Sequence, residues 1–239
     1  MHDAQADGYD GLSGDVIFCA WTGHNPLSSQ RAESLLSIYR ETCCPVLLLT
    51  PANLGEWQLA DSPFHPAFRF LSETHKADYL RCYFMHHFGG GYTDLKATRH
   101  SWKALFAKLR ASPHAIGLGY PESSPHDVAP VGEPLESELR KNYQKLIGNC
   151  AYIFRRNTDF TTQWIARTHR LLDAKLEALT QHPAQHPLDQ RGVILPDGSL
   201  SLYPIKWTEM LGDIFHPLVY EYSGVILHAD IAPSFVNYR

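Results

Sequence analysis

Two short apolar runs dictate the kind of fold open to this 239-residue chain. They are Asp15-Val16-Ile17-Phe18-Cys19-Ala20-Trp21 and Pro45-Val46-Leu47-Leu48-Leu49-Thr50. Each is too short for a buried helix and is bounded by turn residues, so each reads as a strand covered on both faces. Thr22-Gly23-His24-Asn25-Pro26 breaks the first run. Between them, Leu27 to Arg40 repeats apolar positions at Ala32, Leu35, Leu36 and Tyr39, and Ser28 or Ser29 stands where a helix cap belongs. Strand, helix, strand is a βαβ unit with parallel strands and a right-handed crossover. The expectation is an α/β fold with a mostly parallel central sheet, formed by residues 15–239 as one domain after a loose lead-in over 1–14.

The pattern continues along the chain. A helix is expected from Thr74 to Phe88, with an apolar stripe at Ala77, Leu80, Phe84 and Phe88. Gly89-Gly90-Gly91 stops it, because a positive φ costs glycine nothing. A short strand at Tyr92–Leu95 follows. Trp102–Arg110 reads as helix, His114–Tyr120 as strand, Glu136–Leu146 as helix and Gly148–Phe154 as strand. Asp159–Leu179 reads as a long helix capped by Asp159. Pro121–Pro134, rich in Pro, Ser, Gly and acids, reads as a mobile loop. Ser199–Tyr203 reads as a strand, and Trp207–Arg239 as short strands and turns among aromatics.

Charge and cysteine usage narrow the functional classes. A formal charge of −4 argues against a nucleic-acid binder, which carries a basic face. The five cysteines form no C-x-x-C spacing, so neither a zinc knuckle nor a secreted disulfide framework fits. Met1–Asp10 has neither the basic start nor the apolar core of a signal peptide. The longest apolar run, Val46–Leu49, falls far short of the ~20 residues that span a bilayer. These readings point to the cytoplasm, with peripheral membrane association left open. The His86-His87 and His182/His186 pairs read as structural rather than metal-binding.

The chemistry concentrates in one stretch. Asp78 and Arg81 lie three residues apart off the apolar stripe, hence on one helix face. Asp94 stands at the exit of a strand beside the glycines, where α/β sheets bind ligands. Alone, Asp94 reads as a solvated strand-end acid and the Asp78/Arg81 pair as a surface ion pair. Together with the glycines they read as a site for a charged small molecule.

The run from His75-Lys76-Ala77-Asp78-Tyr79-Leu80-Arg81 through Phe88-Gly89-Gly90-Gly91-Tyr92-Thr93-Asp94-Leu95-Lys96 resembles the S-D-x-x-R-y-x-x-L-x-x-y-G-G-x-Y-x-D-x-D signature of DXD-motif sugar transferases. These include capsular polysaccharide synthesis proteins and glycosyltransferases grouped with yeast mannosyltransferases. More weakly, Ile17–Gly23 is similar to their first strand, whose Trp lies near the nucleotide, and Ile147–Phe154 to the strand whose Asn faces the sugar or acceptor.

The resemblance implies a glycosyltransferase A-type (Rossmann-like) fold. It implies transfer of a sugar from a nucleotide-sugar donor to a hydroxyl of a glycan or lipid-linked acceptor, in capsule, polysaccharide or other surface glycan synthesis. On its pattern Trp21, Asp78, Arg81, Gly90, Gly91, Tyr92 and Asn149 would bind the donor, and Asp94 is the first acid of the DXD motif. The second acid is replaced by Lys96, which repels a cation. Two consequences compete: a Mn²⁺ or Mg²⁺ retained by Asp94 with a C-terminal histidine, His216 or His228, or neutralisation of the diphosphate by Lys96 itself. The first is slightly favoured. Asp213, Glu209 and Glu122 are candidate bases for the acceptor proton. A nucleotidyltransferase is disfavoured because Thr22–Asn25 carries no Lys or Arg, and a decayed, non-catalytic nucleotide- or sugar-binding protein is the remaining alternative.

Overall fold

A computed structural model describes residues 15–236; the lead-in 1–14 and the last three residues lie outside the described range. The elements run β1 (Ile17–Ala20), α1 (Ser29–Glu41), β2 (Val46–Leu49), α2 (Glu73–His87), β3 (Gly90–Thr93), α3 (Lys103–Arg110) and β4 (Gly117–Pro121). They continue with α4 (Leu135–Lys141), β5 (Ile147–Phe154), α5 (Asp159–Gln181), α6 (Gly212–Glu221) and β6 (Ile226–His228). The six strands form one mixed sheet in the order β2-β1-β3-β5-β4-β6. β1 pairs in parallel with β2 and β3, and β4 with β6. Only β5 runs the other way, between β3 and β4.

Alternation along β5 shows how both faces are covered. Tyr152 and Phe154 enter the larger core beneath α2, α5 and α6, while Ala151 and Ile153 join Trp102 and Phe106 of the opposite layer. Among the described residues no helix is long and apolar enough to cross a membrane. All five cysteines are free thiols.

Of the two serines expected to cap α1, Ser28 does so, accepting from the Arg31 N–H. Thr158, not Asp159, caps α5, because its hydroxyl reaches the Thr161 N–H while the Thr161 side chain answers it. Ser199–Tyr203 forms no strand; only an isolated bridge joins Ile194 and Leu200. That segment is held by side chains instead: Ser201 donates to Asp189 Oδ1 at 2.7 Å, and the Tyr203 hydroxyl lies 2.9 Å from His75 Nδ1. The tail holds a full helix, α6, despite Pro217 inside it. Phe215 of that helix packs on Trp164 at 4.8 Å and on Tyr152 at 5.3 Å, and this burial outweighs the proline's missing donor.

Gly89, before β3, and Gly90 and Gly91, which open it, each answer a packing need. Gly89 and Gly90 have φ of +68° and +86°, and a side chain on Gly90 would strike the Val16 carbonyl. Gly91 faces the Trp102 ring, which would lie 2.7 Å from an added Cβ. Gly91→Ala is therefore expected to cost about 1–3 kcal/mol through overpacking. Urea unfolding followed by circular dichroism measures it, and an unchanged midpoint would show that the Trp102 ring gives way freely.

Candidate active site

β3 ends at Thr93, and the backbone N–H of Asp94 is pinned to the Cys150 carbonyl of β5 at 2.9 Å. The chain then turns sharply, with the Lys96 N–H donating to the Asp94 carbonyl at 2.7 Å, which folds Lys96 back over its neighbour. From above, α2 delivers Asp78 and Arg81. The sequence placed these on a polar face, but both are buried, because α2 is enclosed by the sheet on one side and α5 on another.

Four charged side chains thus meet in one chain of contacts: Asp78, Arg81 and Lys96 are buried, and Asp94 between them is partly exposed. Lys96 Nζ lies 2.9 Å from Asp94 Oδ2, and Arg81 Nη2 lies 3.0 Å from Asp94 Oδ1 and 3.3 Å from Asp78 Oδ1. Arg81 Nη1 donates to the Asn149 carbonyl at 2.7 Å, and its guanidinium lies 4.7 Å from the centre of the Tyr92 ring. The Tyr92 hydroxyl donates to Asp94 Oδ1 at 3.2 Å, and Lys96 also donates to Cys150 Sγ at 2.9 Å. Two acids and two bases balance formally, which is the condition for burying them at all.

The titration behaviour follows from this geometry. Burial by itself would raise the Asp94 carboxyl, but Arg81 and Lys96 override it and hold the group at about 2. Burial dominates at Asp78 and pushes it up to about 7, since Arg81 is shared with the nearer Asp94 and the Asp94 charge repels a second one. Lys96 is shifted upward, its burial being outweighed by Asp94. Burial also raises the Cys150 thiol to about 11, which makes it an unreactive member of the cluster. One donor stays unmatched: Arg81 Nε is buried with no hydrogen-bond partner among the described residues.

The other expected site residues distribute unevenly. Tyr92 belongs to the cluster. Asn149 contributes its backbone carbonyl to Arg81, with its amide oxygen 3.5 Å from Cys150 Sγ. Trp21, at the exit of β1, donates to the Asn25 carbonyl at 2.8 Å and packs in the small cluster that contains Leu95, next to Asp94. Gly90 and Gly91 serve the chain packing described above. Glu209 is occupied elsewhere, accepting from the Lys206 N–H at 2.9 Å and pairing with Lys175 at 3.1 Å. His228 ends β6, three strands from β3.

His216 and Glu122 come together instead. His216 is buried; its Nδ1 accepts from the Ala129 N–H at 3.0 Å, so its Nε2 carries the proton and donates to Glu122 Oε1 at 3.1 Å. The imidazole thus joins two points of the loop after β4, which Arg140 also holds by donating to the Pro125 carbonyl at 2.8 Å. Asp213 lies one turn before it on α6, half-buried, with Oδ1 lacking a partner and its carboxyl raised by burial. Two participants had no sequence signal: Cys150, and Phe235, whose ring centre lies 4.9 Å from Lys96 Nζ.

These residues do not fit the expected divalent cation. Both Asp94 oxygens are held by cationic side chains, both His216 nitrogens are committed, and no three His, Cys, Asp or Glu side chains among the described residues group as metal ligands. An orphaned N–H donor on Arg81 calls for an acceptor, not for a cation.

The two aspartates make opposite contributions to stability. Asp94, with its lowered value, stabilises the fold above about pH 4, and that contribution is lost as pH falls towards about 2. Asp78, with its raised value, contributes fully below about pH 4, and its contribution is lost as pH rises through about 7. Asp78→Asn should therefore gain stability relative to the parent as pH rises from about 4 to about 7. Urea titrations at several pH values test this, and a constant difference across the window would contradict it.

In comparisons with known proteins, no family model, no curated protein and no solved structure matches the chain.

Proposed function

We propose that this protein is a glycosyltransferase that moves a sugar from a nucleotide-sugar donor to a hydroxyl of a glycan or lipid-linked acceptor. One observation carries the reading: a buried arginine of α2 that meets the exit of β3, oriented by two carboxylates, keeps an unmatched N–H donor in the same cluster as a buried lysine. Two fixed cations at the carboxyl end of parallel strands suit a diphosphate, because such edges are where α/β sheets take ligands. The resemblance of Asp78–Lys96 to the sugar-transferase signature supports the same class, and with it a glycosyltransferase A-type fold. Free thiols fit a reducing compartment, and we place the protein in the cytoplasm.

In this reading Asp94 holds Arg81 and Lys96 in register, so neither cation has to reorganise when charge develops on the leaving diphosphate. Asp78 orients Arg81 from the far side. The acceptor lies towards α6, where Glu122, held by His216, and Asp213 offer carboxylates for its proton. A non-catalytic nucleotide- or sugar-binding protein is the second reading, favoured by the mutual satisfaction of the four charges.

Purified protein is expected to hydrolyse or transfer from at least one nucleotide sugar in a donor panel, and Asp94→Ala to reduce turnover by 100-fold or more, about 2.7 kcal/mol of transition-state stabilisation. The same change should destabilise the fold by about 3–5 kcal/mol, because it leaves two buried cations short of a counter-charge. Full activity in a folded Asp94→Ala protein would overturn the site assignment, and tight donor binding without turnover would favour the second reading.

A further inference from the structure

In a site that binds metal through acids, the carboxylates of the β3 exit have to present free oxygens. Here both oxygens of Asp94 are taken, Oδ1 by Arg81 and Tyr92 and Oδ2 by Lys96. Lys96 is not a stray surface lysine: it is buried, it lies 2.9 Å from both Asp94 Oδ2 and Cys150 Sγ, and the Phe235 ring covers it at 4.9 Å. A tight turn fixes its backbone against Asp94. Burial strengthens such a charge, because little solvent lies between it and a ligand placed in the same site.

We propose that Lys96 is the resident cation of this site, binding and neutralising the donor's diphosphate without a divalent metal, and that Asp94 is a positioning residue for Lys96 and Arg81 rather than a metal ligand. The inference rests on the glycosyl-transfer reading and sharpens its substrate chemistry to an uncomplexed nucleoside diphosphate sugar. In the transfer step the acceptor oxygen bonds to the anomeric carbon as the bond from that carbon to the diphosphate oxygen breaks. The bonding pair leaves with the diphosphate, where the Lys96 ammonium and the Arg81 guanidinium offset the added charge. The acceptor hydroxyl gives up its proton to a carboxylate on the α6 side.

Calorimetry with uridine, guanosine, adenosine, cytidine and thymidine diphosphates, each in EDTA and in Mn²⁺, tests this on the full chain. At least one nucleotide is expected to bind with the same affinity in both media. Lys96→Met should weaken that binding about 10- to 100-fold, the loss of one charge-assisted hydrogen bond. Lys96→Asp, which restores a second acid, should bind only when Mn²⁺ is present; circular dichroism establishes that both variants fold.

Binding that requires Mn²⁺ in the unaltered protein would overturn the inference and leave the transferase reading standing. Binding unaffected by Lys96→Met in EDTA would likewise overturn it. Should no nucleotide bind in either medium, the transferase reading fails, and this inference fails with it.

Discussion

The carboxylate of Asp94, gripped by Arg81 on one oxygen and Lys96 on the other, ties α2 to the exit of β3. Charges this deep are tolerated only in balanced, closely packed groups, since each one left unpaired costs several kcal/mol (about 3–5 for a broken buried pair). That condition reaches outward. β3 has to end where its next residue meets Lys96 through a tight turn. α2 has to carry two charges into a buried layer. The sheet has to supply a carbonyl for Nη1 of the guanidinium.

The reversed strand meets the last requirement. A parallel strand beside β3 would present its carboxyl end at this edge. β5 runs the other way and brings its early residues there, so the Asn149 carbonyl faces Arg81 and the Cys150 carbonyl and thiol face Asp94 and Lys96. On the α6 side one buried imidazole joins Ala129 and Glu122 across the loop after β4, which Arg140 also holds at the Pro125 carbonyl.

Much of the fold was legible because periodicity is a local property. β1, α1 and β2 come directly from apolar spacing and flanking turn residues, and α2 ends at the glycines as expected. α6 was not legible, since Pro217 argues locally against a helix and only the aromatic core beneath it compensates. The glycines were legible as a stop but not as a packing need, because the Val16 carbonyl and the Trp102 ring arrive from distant segments. Nor does sequence spacing show that Glu209 is engaged by Lys175, or that both nitrogens of His216 are taken.

Residue order alone specifies the α/β class, most of the element order, and the gathering of Asp78, Arg81, Tyr92, Asp94 and Lys96 within one helix–turn–strand unit. Those features depend on near neighbours in the chain, whose relative placement the backbone constrains. What the charges do to one another is settled by their placement in space. Whether Asp94 presents its oxygens to a ligand or spends them on Arg81 and Lys96 depends on the packing of α2 between the sheet and α5, on the direction of β5, and on Phe235 coming from the far end of the chain. Electrostatic energies are set by distance and solvent exclusion in space, and neither is encoded in residue spacing.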